Sequence, residues 1–316
     1  DSRTMSSLYN LYNDYLSLDF HQFIHIYSPP TVHIIPLTAI ALYFAMMYFL
    51  PKVVPKEGYG NLRTATNKES AEKWKLLYFT WNMFLCILSV LMLLGVGVPV
   101  VRYIFTHGGL VNGTWNVICN IDGEASYLTD AKIPLVFWGW LFSCSKYFEL
   151  FDTVLLILKN PGRKILLLHW LHHWSVLLIT WYIGYYRIPV GWLYLIVNAL
   201  VHSFMYYYYA MTEIGQRPSW SFYLTLGQTL QMVLGTAINV SWFYGFMHAD
   251  EYSCVCQRGC FNMFLGIGAM YLVYLVLFTK FFLEKYGLLG KKVEGAKKGS
   301  PNKSLQSQGR KSKKLE

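Results

Sequence analysis

Seven apolar runs divide the chain, at residues 32–50, 76–101, 134–158, 165–183, 190–210, 220–246 and 261–283. A helix needs roughly 20 such residues to cross a hydrocarbon core of about 30 Å. The pattern therefore predicts an all-α membrane protein with seven transmembrane helices in a single domain over residues 31–283. Residues 1–30 are polar and aromatic, end in Pro29-Pro30, and are too polar to span. Residues 284–316 form a basic tail, rich in Lys, Ser and Gly from 291 onward, and are expected to be disordered. Met5 is the expected native start, no secretory signal is expected ahead of it, and no fixed-period repeat is visible.

Four of the seven runs are interrupted by polar residues, and the interruptions are periodic. Run 165–183 carries His169, His172 and His173 at i, i+3 and i+4, on one helix face. Run 134–158 carries Lys146, Glu149 and Asp152 at i, i+3 and i+6, with Thr153 beside the last. Run 190–210 has Asn198 and His202 four apart, then Met205 and the tyrosines 206–209, of which Tyr206 and at most one other can share that face. Run 220–246 has Thr225, Gln228 and Gln231 every third residue. A lone polar residue in a span is ordinary packing or interhelical glue worth about 0.6 kcal/mol. Three imidazoles on one face of one span are costly to bury and mark a functional site.

Charge gives the orientation. Of the Lys and Arg residues, 21 fall in the segments 51–75, 159–164, 211–219 and the stretch from Lys280 onward, against 5 in the alternate segments, with Lys146 set aside as intramembrane. The positive-inside rule puts the tail in the cytosol and the N-terminus in the lumen. With that orientation, at about 1.5 Å per residue, Glu149 lies roughly 13 Å inside the cytosolic end of its run, His172 roughly 10 Å, and His202 and Gln228 roughly 12 Å each. Four helices placing polar groups at one level predict a polar chamber open to the cytosol. The sequon Asn112-Gly113-Thr114 falls in a lumenal loop, as do Cys119, Cys254, Cys256 and Cys260. Asn112 is thus a candidate glycosylation site. A lumenal disulfide is expected from Cys119 to one of the other three cysteines, with Cys254 the candidate partner. Cys86 and Cys144 lie in spans as packing. The terminal Lys313-Lys314-Leu315-Glu316 resembles the dilysine retrieval signal of endoplasmic-reticulum membrane proteins.

Composition agrees: 54% of residues are hydrophobic and 14% charged, against about 25% charged in soluble domains. A net charge of +10 would suggest nucleic acid for a soluble protein. Here the cations flank apolar runs, so the expected contact is membrane lipid and no nucleic acid.

Neutral imidazole can act as nucleophile, general base or metal ligand. Glu149 and Asp152 could orient an imidazole by accepting its second N–H. Four histidines and two carboxylates would equally serve a two-metal site, so the residue types alone leave acyl transfer and metal chemistry open.

His169-x-x-His172-His173 resembles the histidine box of the ELO family, the very-long-chain fatty acid elongases; membrane desaturases and hydroxylases carry a similar box. Lys146-x-x-Glu149-x-x-Asp152-Thr153, Asn198-x-x-Val201-His202-x-x-Met205-Tyr206-x-Tyr208-Tyr209 and Thr225-x-x-Gln228-x-x-Gln231 resemble the other ELO motifs, in family order. Lys164, five residues before His169, is similar to the subgroup acting on saturated and monounsaturated chains.

The resemblance implies a 3-oxoacyl-CoA synthase with acyl-CoA and malonyl-CoA as substrates, and neither metal nor other cofactor. It implies CoA at the cytosolic mouth near Lys159, Arg163, Lys164 and Arg217, with Lys280 a further candidate, and an apolar acyl tunnel towards the lumen. It also implies His172 as nucleophile, His202 and Asn198 as stabilisers of developing negative charge, and His169, His173, Glu149 and Asp152 as orienting groups. Lys146, Gln228, Gln231 and Tyr206 complete the expected supporting set. Reductase and dehydratase partners would consume the product, and association of copies is expected. The alternatives are a metal-dependent fatty acid desaturase or hydroxylase, and a seven-helix transporter without enzymatic activity.

Overall fold

The computed structural model describes residues 31–56, 58–59, 68–119, 135–186, 188–254 and 259–287, and these are helical with no strand among them. In chain order the helices are α1 (Thr31–Val53), α2 (Lys68–Thr106), α3 (Gly109–Cys119), α4 (Leu135–Lys159), α5 (Leu167–Tyr185), α6 (Gly191–Glu213), α7 (Ser221–Met247), α8 (Ala249–Tyr252) and α9 (Cys260–Lys285). Lys313, Lys314 and the segments 1–30 and 288–316 lie outside the described residues.

Long helices stand at all seven apolar runs, and α1, α2 and α9 are long and apolar enough to cross a membrane. On that measure α4 to α7 fall short, for a physical reason. Their interiors carry the ionic, imidazole and amide side chains, which dilute the apolar content that identifies a span. The chain is a multi-pass membrane protein. Large apolar side chains stand exposed along the outer helices, among them Leu42 and Tyr48 on α1, Leu94 and Val98 on α2, and Leu272 and Val276 on α9. Such stripes are unstable in water and match lipid. At 39 residues α2 exceeds any bilayer core, and its first turns hold the exposed ion pair Lys73–Glu69 (2.8 Å), the mark of a helix end outside the hydrocarbon.

Helix neighbours define the architecture. α4 packs on α5, α5 on α9, α9 on α7, α7 on α6, α6 on α2 and α2 on α4, which closes a ring of six. α1 lies outside the ring against α4 and α5. Trp181 of α5 donates to the Val32 carbonyl at 2.6 Å, and His33 meets the Tyr182 hydroxyl at 2.8 Å, so this outer helix is tied down near its N-terminus.

At the end of the ring opposite the C-terminus of α9, Gly108 and Gly109 adopt positive φ (107° and 71°) and turn the chain sharply from α2 into α3. α3 then packs back on α2 and reaches α7. The buried Cys119 at its end is disulfide-bonded to Cys254. Asn112 is exposed on the first turn of α3.

Candidate active site

The four interrupted helices turn their polar faces to one another. On α4, Lys146 and Glu149 are buried at 2% and 4% exposure, figures that require internal partners. They have them. Lys146 Nζ donates to Glu149 Oε1 at 2.7 Å and to Asn198 Oδ1 of α6 at 2.9 Å. The hydroxyl of Ser145 reaches the same carboxylate oxygen at 3.4 Å. His202, one turn after Asn198, places Nδ1 3.8 Å from Glu149 Oε1, beyond hydrogen-bond length.

A second network runs through the next turn of α4. Asp152 accepts from Trp81 Nε1 of α2 at 2.6 Å and from the Tyr206 hydroxyl of α6 at 2.8 Å. Of the four consecutive tyrosines, Tyr206 is the buried one, while Tyr207 and Tyr209 are exposed. Thr153 is fully buried, and its hydroxyl meets His169 Nε2 at 2.9 Å on one side and the Tyr43 hydroxyl of α1 at 3.0 Å on the other.

The histidines form one aromatic group. Ring centroids are 4.4 Å apart for His169 and His173, 5.8 Å for His172 and His173, and 6.4 Å for His172 and His202. Tyr274 of α9 lies 5.4 Å from His172, with its hydroxyl on Ser175. Among the described residues neither Glu149 nor Asp152 is hydrogen-bonded to an imidazole. Thr153 holds His169, and the carboxylates are held by Lys146, Trp81 and Tyr206. His172 differs from the others: Nδ1 is buried and no hydrogen-bond partner faces it. An unspent imidazole nitrogen in a packed protein calls for an explanation.

Gln228 donates to Met205 Sδ at 3.3 Å and links α7 to α6, while Gln231 is buried. Thr225 is drawn elsewhere, to Lys285 Nζ at 2.9 Å. Lys159 pairs with Glu213 at 2.5 Å, joining the C-terminal ends of α4 and α6. Arg163, Lys164 and Arg217 are exposed in the connections beside it. Lys280 pairs with Glu284 at 3.9 Å on the outside of α9, so Lys285 is the α9 cation at the motif. Lys159, Arg163, Lys164, Arg217 and Lys285 thus stand at one end of the ring, and the histidines lie below it. Among the described residues no three His, Cys, Asp or Glu side chains are grouped as metal ligands.

The polar layer thus combines an unpartnered imidazole nitrogen, a buried cation and an amide held by it, with exposed cations at the end of the ring above. Trp81, Tyr43, Ser175, Tyr274 and Lys285 are joined to it although no repeat in the sequence marked them. The only signal for them was single polar-capable residues on otherwise apolar helices.

The pattern described as "ELO: GNS1/SUR4 family" matches residues 30–296. The chain is similar to "Fatty acid elongase 2" of Trypanosoma brucei brucei, 31% identical over 262 residues, covering 81% of this chain and 89% of that protein. It is also similar to "Very long chain fatty acid elongase 6" of Homo sapiens, 32% identical over 229 residues, 71% and 78% of the two chains. "Fatty acid elongase A" of Dictyostelium discoideum is 31% identical over 206 residues, 65% and 70% of the two chains.

Proposed function

Because the chain belongs to the ELO: GNS1/SUR4 family of fatty acid elongases, we propose that it is the condensing enzyme of chain elongation, a very-long-chain 3-oxoacyl-CoA synthase. The observation that carries the mechanism is the unpartnered Nδ1 of His172. Its lone pair attacks the acyl thioester, the C–S bond breaks, the proton on the ring's other nitrogen passes to the sulfur so that CoA leaves as the thiol, and the acyl group rests on the imidazole. Malonyl-CoA then loses CO2, and the resulting carbanion attacks the acyl carbon. The C–N bond to His172 breaks, the ring regains a proton from water, and 3-oxoacyl-CoA departs two carbons longer. Asn198 spends its carbonyl on Lys146, which leaves its Nδ2 to donate to a developing oxyanion or enolate. His202 has Glu149 near Nδ1, and its other nitrogen serves the same charge. Thr153 fixes the His169 ring, which packs on His173 and so backs the nucleophile.

The basic rim fits CoA phosphates, with Arg163, Lys164 and Arg217 the exposed cations and Lys159 shared with Glu213. In this reading all seven long helices cross the endoplasmic-reticulum membrane, the polar layer is a chamber open to the cytosol, and an apolar tunnel leads from it towards the lumen. The N-terminus is lumenal and the tail cytosolic, with Lys313 and Lys314 as retrieval signal. The Cys119–Cys254 bond and an exposed Asn112 sequon suit the lumenal side. Saturated and monounsaturated acyl-CoAs are the substrates. A reductase and a dehydratase consume the product, and self-association accompanies the fold.

The test is condensation by detergent-purified protein, with labelled malonyl-CoA and acyl-CoAs of graded length, beside His172→Ala. A 3-oxo product two carbons longer, absent in the variant, is expected, together with an acyl mass adduct on His172 when malonyl-CoA is withheld. No product at any length from folded protein would overturn the activity. Product formed equally by His172→Ala would discard the nucleophile.

A further inference from the structure

α9 buries one stripe and turns another to lipid. Met263, Ile267, Tyr271 and Tyr274, at helical spacing, are buried, whereas Leu272, Val273 and Val276 are exposed. A tyrosine on a buried stripe needs a partner for its hydroxyl. Tyr274, 2% exposed, finds its partners on α5: the hydroxyl meets that of Ser175 and comes within 3.3 Å of the Leu171 carbonyl. Ser175 donates to the same carbonyl at 2.6 Å and accepts from Tyr274, so the phenol proton is spent inside this group.

Leu171 and Ser175 lie about one turn apart on α5, and His172 stands on the turn they bound. The tyrosine that grips this turn also lays its ring against the imidazole, with centroids 5.4 Å apart and planes at 58°. It is the nearest of three rings around His172, His173 standing at 5.8 Å and His202 at 6.4 Å. Nδ1 of His172 has no hydrogen-bond partner, so no bond at that nitrogen aims its lone pair. The χ2 torsion of an imidazole is broad and roughly two-fold, so such a ring turns unless its neighbours stop it. Because its hydroxyl is tied to the same turn, the Tyr274 ring cannot tilt away from the imidazole without breaking that tie.

We propose that Tyr274 is the positioning residue of His172: anchored through Ser175, its ring holds the imidazole at the angle from which Nδ1 reaches the acyl carbonyl. The assignment rests on the acyl transfer to His172 proposed above. Tyr274 touches no substrate in this account, and with its proton spent on Ser175 it transfers none. It acts through the histidine. That is enough to matter, since a reacting group misplaced by about 1 Å can cost about 100-fold in rate.

The experiment is rapid-quench acylation of purified full-length protein, without malonyl-CoA, by the saturated acyl-CoA it extends fastest, the acyl adduct on His172 being followed by mass. The amplitude counts competent sites, the rate at saturation reads how His172 is aimed, and the half-saturating concentration reads binding. Tyr274→Leu is expected to slow the rate at saturation at least about tenfold, towards the roughly 100-fold of a displaced group, at unchanged half-saturation. Tyr274→Phe, which keeps the ring and loses the anchor, is expected to fall between that variant and wild type, and Ser175→Ala to behave like it. A merely structural role lowers the amplitude and leaves the rate of the surviving sites alone. That result, or Tyr274→Phe no faster than Tyr274→Leu, would overturn the assignment and leave the acyl transfer intact, as would a loss below about tenfold in Tyr274→Leu. Should Tyr274→Leu not fold, Tyr274→Phe decides: a slower rate at unchanged half-saturation upholds the role, and the wild-type rate overturns it. Folded wild-type protein that forms no adduct would remove the acyl-imidazole and this role with it.

Discussion

Lys146→Met removes the ammonium group at the centre of the polar layer while keeping an unbranched chain to fill its space. The lysine is 2% exposed and holds two groups, the Glu149 carboxylate at 2.7 Å and the Asn198 carbonyl at 2.9 Å. After the change Glu149, itself 4% exposed, keeps only Ser145 at 3.4 Å and His202 at 3.8 Å. Breaking a buried pair from one side costs about 3–5 kcal/mol, because the remaining charge stays buried without its counter-ion. For a domain of this size each kcal/mol moves the melting temperature by roughly 2–4 °C, so a fall of roughly 6–20 °C is expected. Glu149→Gln added to Lys146→Met removes the stranded charge and should recover at least half of the loss. Thermal unfolding of the detergent-solubilised protein, followed by tryptophan fluorescence, measures both variants. A single variant melting within about 2 °C of wild type, or a double variant no more stable than the single one, would refute this account of the layer.

Two further outcomes follow from the same contacts. Cys119→Ser opens a bridge spanning a sequence separation of 135 and should cost about 5 kcal/mol through the freed unfolded chain; reductant should lower the wild-type melting temperature comparably and leave the variant unmoved. Tyr43→Phe deletes the outer helix's hydroxyl from Thr153, costs about 1 kcal/mol of stability, and should lower kcat at unchanged KM, since it loosens the His169 ring without touching the CoA rim; unaltered kcat would leave Tyr43 a packing residue.

The sequence exposed the parts of the site that repeat along one helix and hid the parts that arrive singly. Lys146, Glu149, Asn198 and His202 were legible because periodic polar residues in an apolar run have one face to share, and the structure brings these four together, with successive polar atoms 2.7–3.8 Å apart. Trp81 and Tyr43 were not, because one indole or phenol on an apolar helix looks the same whether it meets lipid headgroups or a buried carboxylate. Lys159 illustrates the converse: its place at the end of α4 suggested a ligand, but Glu213, some fifty residues later, takes it, and no local pattern shows such a pairing. The same polar faces explain why α4 to α7 read as weaker spans than α1, α2 and α9. Each charge or imidazole that builds the site subtracts from the apolar surface that would hold its helix in lipid. The ring resolves this conflict by covering those faces with one another, so that α1 and the outer surfaces of α2 and α9 carry much of the apolar exposure. On this view the polar layer and the ring depend on each other. A change that breaks the layer should loosen helix packing as well as chemistry, which is why stability, measured beside turnover, is the informative readout for Lys146.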